Sequence, residues 1–391
     1  MENNNQQPKM ILIFSMSYYP RFVGGAEVAL KEITDRLDQK EFEFHLITLR
    51  YDSAFLKYEK IGNVHVHRVG FAKKNVTFED LRSFPFRLNK LLYQFWAPCV
   101  GLWLHKKHTF TKAWSMMAHS AGIPGNIFSR ISRVPLLLTL QEGDPTEHIE
   151  KQMRLFGPLF TGVFTRAKQI QAISLFLKEW AIQMKSKVTP DVVPNGVDTL
   201  VFVPGTKLET KEGFRLITTS RLVPKNGVDL VIEAMTQLPE NVYFDIVGDG
   251  FQREILEKRV QELGLQERII FHGQKEKEDI VRLLQNADVF VRPSRSEGLG
   301  NSFLEAMAVG LPVIATSVGG IPDFLFDPST YKEKATGLFC DTESFVSIAD
   351  CVKRLMIDQT LYKQIGTNAH ALVQEVYTWN NVSRRMKQLL I

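Results

Sequence analysis

The chain has 391 residues, 44% of them hydrophobic and 23% charged, with a formal net charge of +5. That is the profile of a soluble globular protein of two ordinary domains, each able to bury its own core. Three cysteines (Cys99, Cys340, Cys351) without CxxC spacing exclude a disulfide scaffold and read as buried thiols of a reducing compartment. The opening "MENNNQQPKM" lacks the charged-then-apolar run of a secretory signal. The best membrane candidate, "LLYQFWAPCVGLWLH", is broken by Gln94 and Pro98 and falls short of the ~20 residues a bilayer needs. The expected location is cytoplasmic, with peripheral association at the inner face of the membrane as an alternative.

In chain order, the first half carries the strand-like runs "MILIFS", "FEFHLIT", "VHVHRV", "AWSMMAH", "PLLLTL" and "KQIQAIS", separated by helical patterns. The second half repeats the alternation with "FRLITTS", "VYFDIVG", "RIIFHG", "DVFVRPS" and "LPVIATS". Each run is short, apolar and closed by Gly, Ser or Pro, the signature of parallel sheets. Between the halves, "VVPNGVDTLVFVPGTKLETKEG" replaces periodic apolar residues with turn formers and charges, so the boundary is expected near Pro204. The predicted fold is α/β: two Rossmann-like doubly wound domains, residues 1–204 and 205–375, facing across a cleft, with a final helix over 376–391.

One window is unusual in charge. From Leu81 to Gln141 there is no Asp or Glu, whereas Arg82, Arg87, Lys90, Lys106, Lys107, Lys112, Arg130 and Arg133 stand among Phe, Trp and Leu. Either a core helix (Leu91 to Leu104) carries scattered cations on a solvated face, or the window is a surface for anionic lipid or a lipid-linked acceptor. No nucleic-acid-binding signature accompanies the charge.

The chemistry gathers at strand ends. "SRSEGLGNSFLEAMAVGLP" holds Glu297 in a loop and Glu305 about one turn into a helix that stops at Gly310 and Pro312. Free amides and the helix dipole favour phosphate there, and Gly298 and Gly300 allow close backbone approach. Carboxylates repel phosphate and accept from hydroxyls, so two glutamates flanking a phosphate cradle point to a nucleoside diphosphate sugar. "SRLVPKNG" adds Arg221 and Lys225 on a strand-to-helix loop, two fixed cations for a departing diphosphate. No Asp-x-Asp element occurs to hold a divalent ion, so no metal and no cofactor beyond the donor are expected. In the first half, "YYPRFVGGAEVAL" places Gly24 and Gly25 as a second backbone cradle.

From "GGAE" through "AHS", "QAIS", "PNGVD", "SRLVPKNG", "IVGDG" and "FHG" to "SEGLGNSFLEAMAVGLPVIATSVGGIP", the chain resembles the retaining glycosyltransferases of GT-B architecture, family 4. The resemblance implies that Glu297 contacts donor-sugar hydroxyls, Glu305 the ribose, and Arg221 and Lys225 the diphosphate. It further implies that His119 meets the donor sugar and reaction centre. Gly25 and Leu299, Gly300, Asn301 and Ser302 then offer backbone to phosphate, Gln274 lies by the base, and the last helix crosses back onto the first domain. Two positions depart from the pattern. "QEGDP" replaces the usual histidine after "LTL", setting Gln141, Glu142 and Asp144 on the acceptor edge, and Asp323 replaces the commoner Glu after "GGIP".

Bland readings stand beside these. "IVGDGFQR" has Arg253 in place of the third fingerprint glycine, so a tight turn suffices. His65 and His67 share a strand face without an evident third ligand, which favours a solvated face over zinc. Without the resemblance, His119 is a histidine at a strand end. The expected function is a metal-independent, retaining transfer from a UDP- or GDP-sugar to a hydroxyl acceptor, with a lipid-linked or surface-polysaccharide precursor as one candidate. The alternatives are a sugar-nucleotide epimerase or hydrolase of the same fold, or a non-catalytic carbohydrate-binding relative.

Overall fold

A computed structural model describes residues 7–21, 23–77, 80–205 and 213–391. The chain forms two compact units, the first running to Pro194 and resuming at Trp379–Ile391, the second spanning Asn195–Thr378. The division therefore falls ahead of Pro204. Asn195 already belongs to the second unit, where its side chain donates to Asn301 Oδ1 at 3.0 Å.

The first unit is built on eight strands: β1 (Lys9–Phe14), β2 (Phe42–Leu49), β3 (Tyr58–Ile61), β4 (Val64–Val69), β5 (Lys112–Met116), β6 (Leu136–Leu140), β7 (Gln169–Ala172) and β8 (Asp191–Val192). They lie in the order β3-β4-β2-β1-β5-β6-β7-β8, parallel except for the β3–β4 pair. Alternation decides the faces. Phe42, Phe44, Leu46, Val64 and Val66 bury one face against the helices Gly25–Asp35 and Trp379–Leu390. Ile47 and Leu49 turn the other way, onto the long helix Phe86–His108 through its Phe86, Tyr93, Ala97 and Leu104.

The helix Trp379–Leu390 buries Trp379, Val382, Met386 and Leu389, a spacing that keeps one face apolar. Lys112 holds its end: the side chain is buried and donates to the carbonyl of Leu389 and to Gln169 Oε1. Lys112 is thus an internal capping cation, not part of a basic surface.

The second unit has six strands, all parallel: β9 (Phe214–Thr219), β10 (Val242–Val247), β11 (Ile269–Gly273), β12 (Val289–Arg292), β13 (Val313–Thr316) and β14 (Gly337–Cys340). Their order is β11-β10-β9-β12-β13-β14. Strand order reverses between β1 and β5 in the first sheet and between β9 and β12 in the second. Ligands of open parallel sheets bind beyond the carboxyl ends of strands at such reversals.

Candidate functional site

In the second unit, the residues singled out in the sequence converge on the β9/β12 reversal. The loop after β9 carries Arg221 and Lys225, and the loop after β12 carries Glu297 to Gly300. The two interlock: Arg295 N donates to Lys225 O at 2.7 Å, and a Cβ on Gly227 would lie 2.1 Å from Pro293 O. The turn after β10 joins them, with Leu222 N donating to Asp249 O at 2.9 Å. Arg221 is exposed and, among the described residues, no carboxylate pairs with it. The nearby Arg295 is committed instead, bridging Asp229 at 2.8 Å and Glu343 at 2.5 Å. Gln274 is exposed just past β11.

The two glutamates sit in opposite electrostatic settings. Glu297 is anchored: Arg292 Nη2 donates to Oε2 at 2.6 Å and the Gly298 amide to Oε1 at 2.9 Å. Glu305, half-buried in the helix Asn301–Ala308, meets no side-chain donor among the described residues. Desolvation pushes its pKa up to about 7, against the pull of Lys277 and Arg292. A carboxylate held in a poor solvent without a donor is a group poised for a ligand.

Arg292 organises this corner. The residue is 5% exposed, and its guanidinium donates to Ser294 Oγ (3.2 Å), Ser302 Oγ (2.5 Å) and Glu297 and lies 4.0 Å from the Phe303 ring centroid. Burial lowers its pKa, while Glu297 and Glu305 hold it up. Gly300 precedes the helix at φ +90°, where a Cβ would come within 2.5 Å of Phe303 Cδ2 and 2.7 Å of Arg292 Nη2. Only glycine serves there. Leu299 and Gly298 are buried beneath, and the amides of Asn301 and Ser302 open the helix without a carbonyl one turn back to receive them.

In the first unit, Gly24 caps the helix Gly25–Asp35, but its amide is taken by Glu27 Oε2 at 2.7 Å, and Ser17 Oγ donates to Oε1 at 2.5 Å. Of the Gly24–Gly25 pair, the Gly24 amide is therefore occupied by Glu27 within the chain itself. His119 follows β5 in a short π-helical turn, Ala118–Gly122. Its Nδ1 lies 3.4 Å from Glu142 Oε1, which also accepts from the Ala118 amide at 2.6 Å. The other oxygen of Glu142 accepts from Gln141 N at 2.9 Å, and the residue is 1% exposed. Glu142 thus lies inside the protein as a support for the His119 turn, not on an open acceptor edge.

Two buried, paired ions escaped the sequence reading: Arg292, and Glu142 as the support of the His119 turn. Both left a signal, since each is an ion at the end of, or two residues past, an apolar strand of a doubly covered sheet, where charge persists only when paired. A hollow of about 380 Å³ lined by Glu150, Lys151, Arg154, Phe160 and Met184 contains none of the predicted site residues.

Within the acid-free window, Phe86–His108 forms a helix with Pro98 inside it, followed by β5, the turn Ala118–Gly122, the helix Ile123–Ser132 and β6. Arg82 falls outside the described side chains. Leu91, Phe95 and Trp103 are 42%, 48% and 54% exposed at helical spacing, and Lys107 Nζ lies 3.6 Å from the Trp103 ring centroid. Among the described residues no helix is long and apolar enough to cross a membrane.

Comparison with known proteins agrees with this geometry. Residues 23–200 match the family model for Glycosyltransferase Family 4, and residues 204–372 that for Glycosyl transferases group 1. An uncharacterised glycosyltransferase of Methanocaldococcus jannaschii is 26% identical, with 96% of each chain covered. A GDP-mannose-dependent alpha-(1-6)-phosphatidylinositol monomannoside mannosyltransferase of Mycobacterium tuberculosis is 31% identical over 51% of this chain and 55% of its own. The structure of sucrose-phosphate synthase from Thermosynechococcus elongatus superposes with a TM-score of 0.80 at 20% identity, covering 97% of this chain and 98% of the other. The chain belongs to the glycosyltransferases of GT-B architecture, joining a family 4 first half to a group 1 second half.

Proposed function

We propose that this glycosyltransferase moves a hexose from a UDP- or GDP-sugar to a hydroxyl acceptor with retention of configuration, without a metal ion. The observation that carries the reading is Glu305: a desolvated carboxylate that meets no side-chain donor among the described residues, one turn inside a helix that opens with amides lacking a carbonyl one turn back. Ribose hydroxyls would supply the missing donors, the diphosphate would meet the helix amides from Leu299 to Ser302, and Gln274 would lie by the base. Arg221 and Lys225 would neutralise the leaving diphosphate as its bond to the anomeric carbon breaks. Glu297, already pinned by Arg292, presents its remaining lone pairs to sugar hydroxyls, and His119, set by Glu142, is assigned a hydroxyl of the same sugar. Gly25 is assigned a phosphate contact.

Retention requires the acceptor oxygen to bond the anomeric carbon on the face the phosphate leaves. The acceptor proton passes to the departing phosphate oxygen, so charge and atoms balance without a covalent enzyme intermediate. For the acceptor, the exposed Leu91–Phe95–Trp103 stripe with Lys106 and Lys107 favours a lipid-linked substrate met at an anionic membrane surface. The phosphatidylinositol-directed name of the mycobacterial relative supports the same class.

Thermal-shift measurement against UDP-, GDP- and ADP-sugars tests the donor. A ligand at a hundredfold excess over its dissociation constant adds about 2.7 kcal/mol of stability. No shift with any of them refutes the donor assignment. Turnover should survive excess EDTA; loss restored by manganese refutes the metal-free step.

A further inference from the structure

We propose that Glu43, His45 and His108 form a binding site for a divalent transition-metal ion, zinc by the chemistry of the donors, on the face of the first sheet covered by the long helix. It is separate from the donor site and serves structure rather than group transfer. His45 stands on β2 and Glu43 two residues before it, on the same face. His108 is the last residue of the helix Phe86–His108, which lies on that face. One donor atom from each of the three lies within 4.8 Å of the other two.

The donor set is two imidazoles and one carboxylate, a combination suited to zinc and its neighbours and unsuited to magnesium or calcium, which take oxygen ligands. His45 Nε2 and Glu43 Oε1 are 2.9 Å apart, and the ring centroids of His45 and His108 are 4.3 Å apart. Tetrahedral bonds of 2.0–2.1 Å place ligand atoms about 3.3 Å from one another. Side-chain rotations of the half-buried Glu43 and His108 span that difference while the buried His45 stays fixed.

His67 gives His45 a partner for the tautomer a metal needs, once the proton between His45 and Glu43 has left. Its Nδ1 is 3.0 Å from Nε2 of His67 on β4. When Nδ1–H donates to His67, the Nε2 lone pair faces Glu43 and His108. A metal-bound histidine characteristically gives its second nitrogen's proton to such a partner. His65 stacks on His45 with centroids 4.9 Å apart and is itself engaged by the Tyr58 hydroxyl at 2.8 Å. His65 and His67, the pair read from sequence as lacking a third ligand, are thus supports for ligands that lie elsewhere in the chain. Binding displaces the proton shared by His45 and Glu43 to solvent, with no change of oxidation state.

The location sets the role. Glu43, His45 and His65 occupy the amino-terminal halves of their strands, whereas Gly25 and His119 follow the carboxyl ends of β1 and β5. The ion would tie the end of the helix that bears the exposed apolar stripe to the sheet beneath it, with its remaining coordination positions open to solvent.

The test uses full-length protein stripped with chelator and then dialysed, titrated with Zn²⁺ by calorimetry and thermal melting, and with Co²⁺ by visible absorption. The expected result is one equivalent bound, a Tm raised by roughly 5 °C at a hundredfold excess over the dissociation constant, and cobalt bands of a four- or five-coordinate site. Glu43→Gln and His108→Asn, each confirmed folded by an unchanged Tm in chelator, should each weaken binding at least tenfold. His148→Asn, on an exposed helix in the same unit, should bind as the wild type does. Absence of stoichiometric uptake, or uptake undiminished in both ligand variants, overturns the site.

Discussion

Replacing Glu305 with Gln separates the cost of holding a ligand-seeking carboxylate from its use. The substitution keeps the shape and removes the charge. In the folded protein, desolvation lifts the carboxyl pKa from 4.5 to about 7. The folded state therefore binds more protons than the unfolded state across that interval, and stability falls as pH rises through it. Wholly enclosed, such a shift corresponds to about 3 kcal/mol; water reaching a half-buried group relaxes part of it, leaving roughly 1–3 kcal/mol. Any constant offset from placing an amide there is the same at every pH, so the pH dependence is the diagnostic quantity. Relative to wild type, Glu305→Gln should gain roughly 1–3 kcal/mol in unfolding free energy between pH 4.5 and pH 8, measured by urea denaturation. The same variant should bind nucleoside diphosphate roughly 10–100-fold more weakly at pH 8, because hydrogen bonds to a charged acceptor are worth about 1.5–3 kcal/mol. Parallel stability curves at the two pH values would show that Glu305 is well solvated and would refute the electrostatic argument. An unchanged nucleotide affinity would refute its assignment to the ribose.

Arg292→Gln removes the guanidinium that pins Glu297 and Ser302. It should lower kcat by at least tenfold while leaving nucleoside diphosphate affinity within about threefold, as kinetics and calorimetry would show; a loss confined to nucleotide affinity would place Arg292 on the phosphates instead. Gly300→Ala forces a side chain into a left-handed conformation against Phe303 and Arg292, and should cost about 1–3 kcal/mol of stability by chemical denaturation, together with most of the activity. The protein should co-sediment with anionic but not neutral vesicles, less so as salt rises, and Phe95→Ser with Trp103→Ser should abolish it; equal binding to both vesicle types returns the stripe to an ordinary helix face.

Much of the fold was legible because its signals are local. Runs such as "FRLITTS" and "DVFVRPS" are apolar strands closed by breakers, and Gly300 before "NSFLEAMA" marks a helix start under one conformational constraint. The residues that follow β1, β5, β9 and β12 were named from sequence, and the two strand-order reversals fall where those residues stand. The strands that escaped, β3, β8 and β14, have two to four residues each and stand at the edges of their sheets, where one flank carries no neighbouring strand to demand an apolar run. What the tertiary structure alone decided are pairings between distant positions. Lys112 reads as one more surface cation until the carbonyl of Leu389 is brought to it. Glu142 reads as an open edge until the His119 turn folds over it. Glu297 and Glu305 read as a matched pair until Arg292 neutralises one and burial strands the other. His65 and His67 read as a solvated stripe until His45 and the end of a long helix close over them. Composition and period report what each residue prefers on its own. Burial, partner and charge state belong to pairs of residues far apart in the chain, and only the packed structure selects which pairs form.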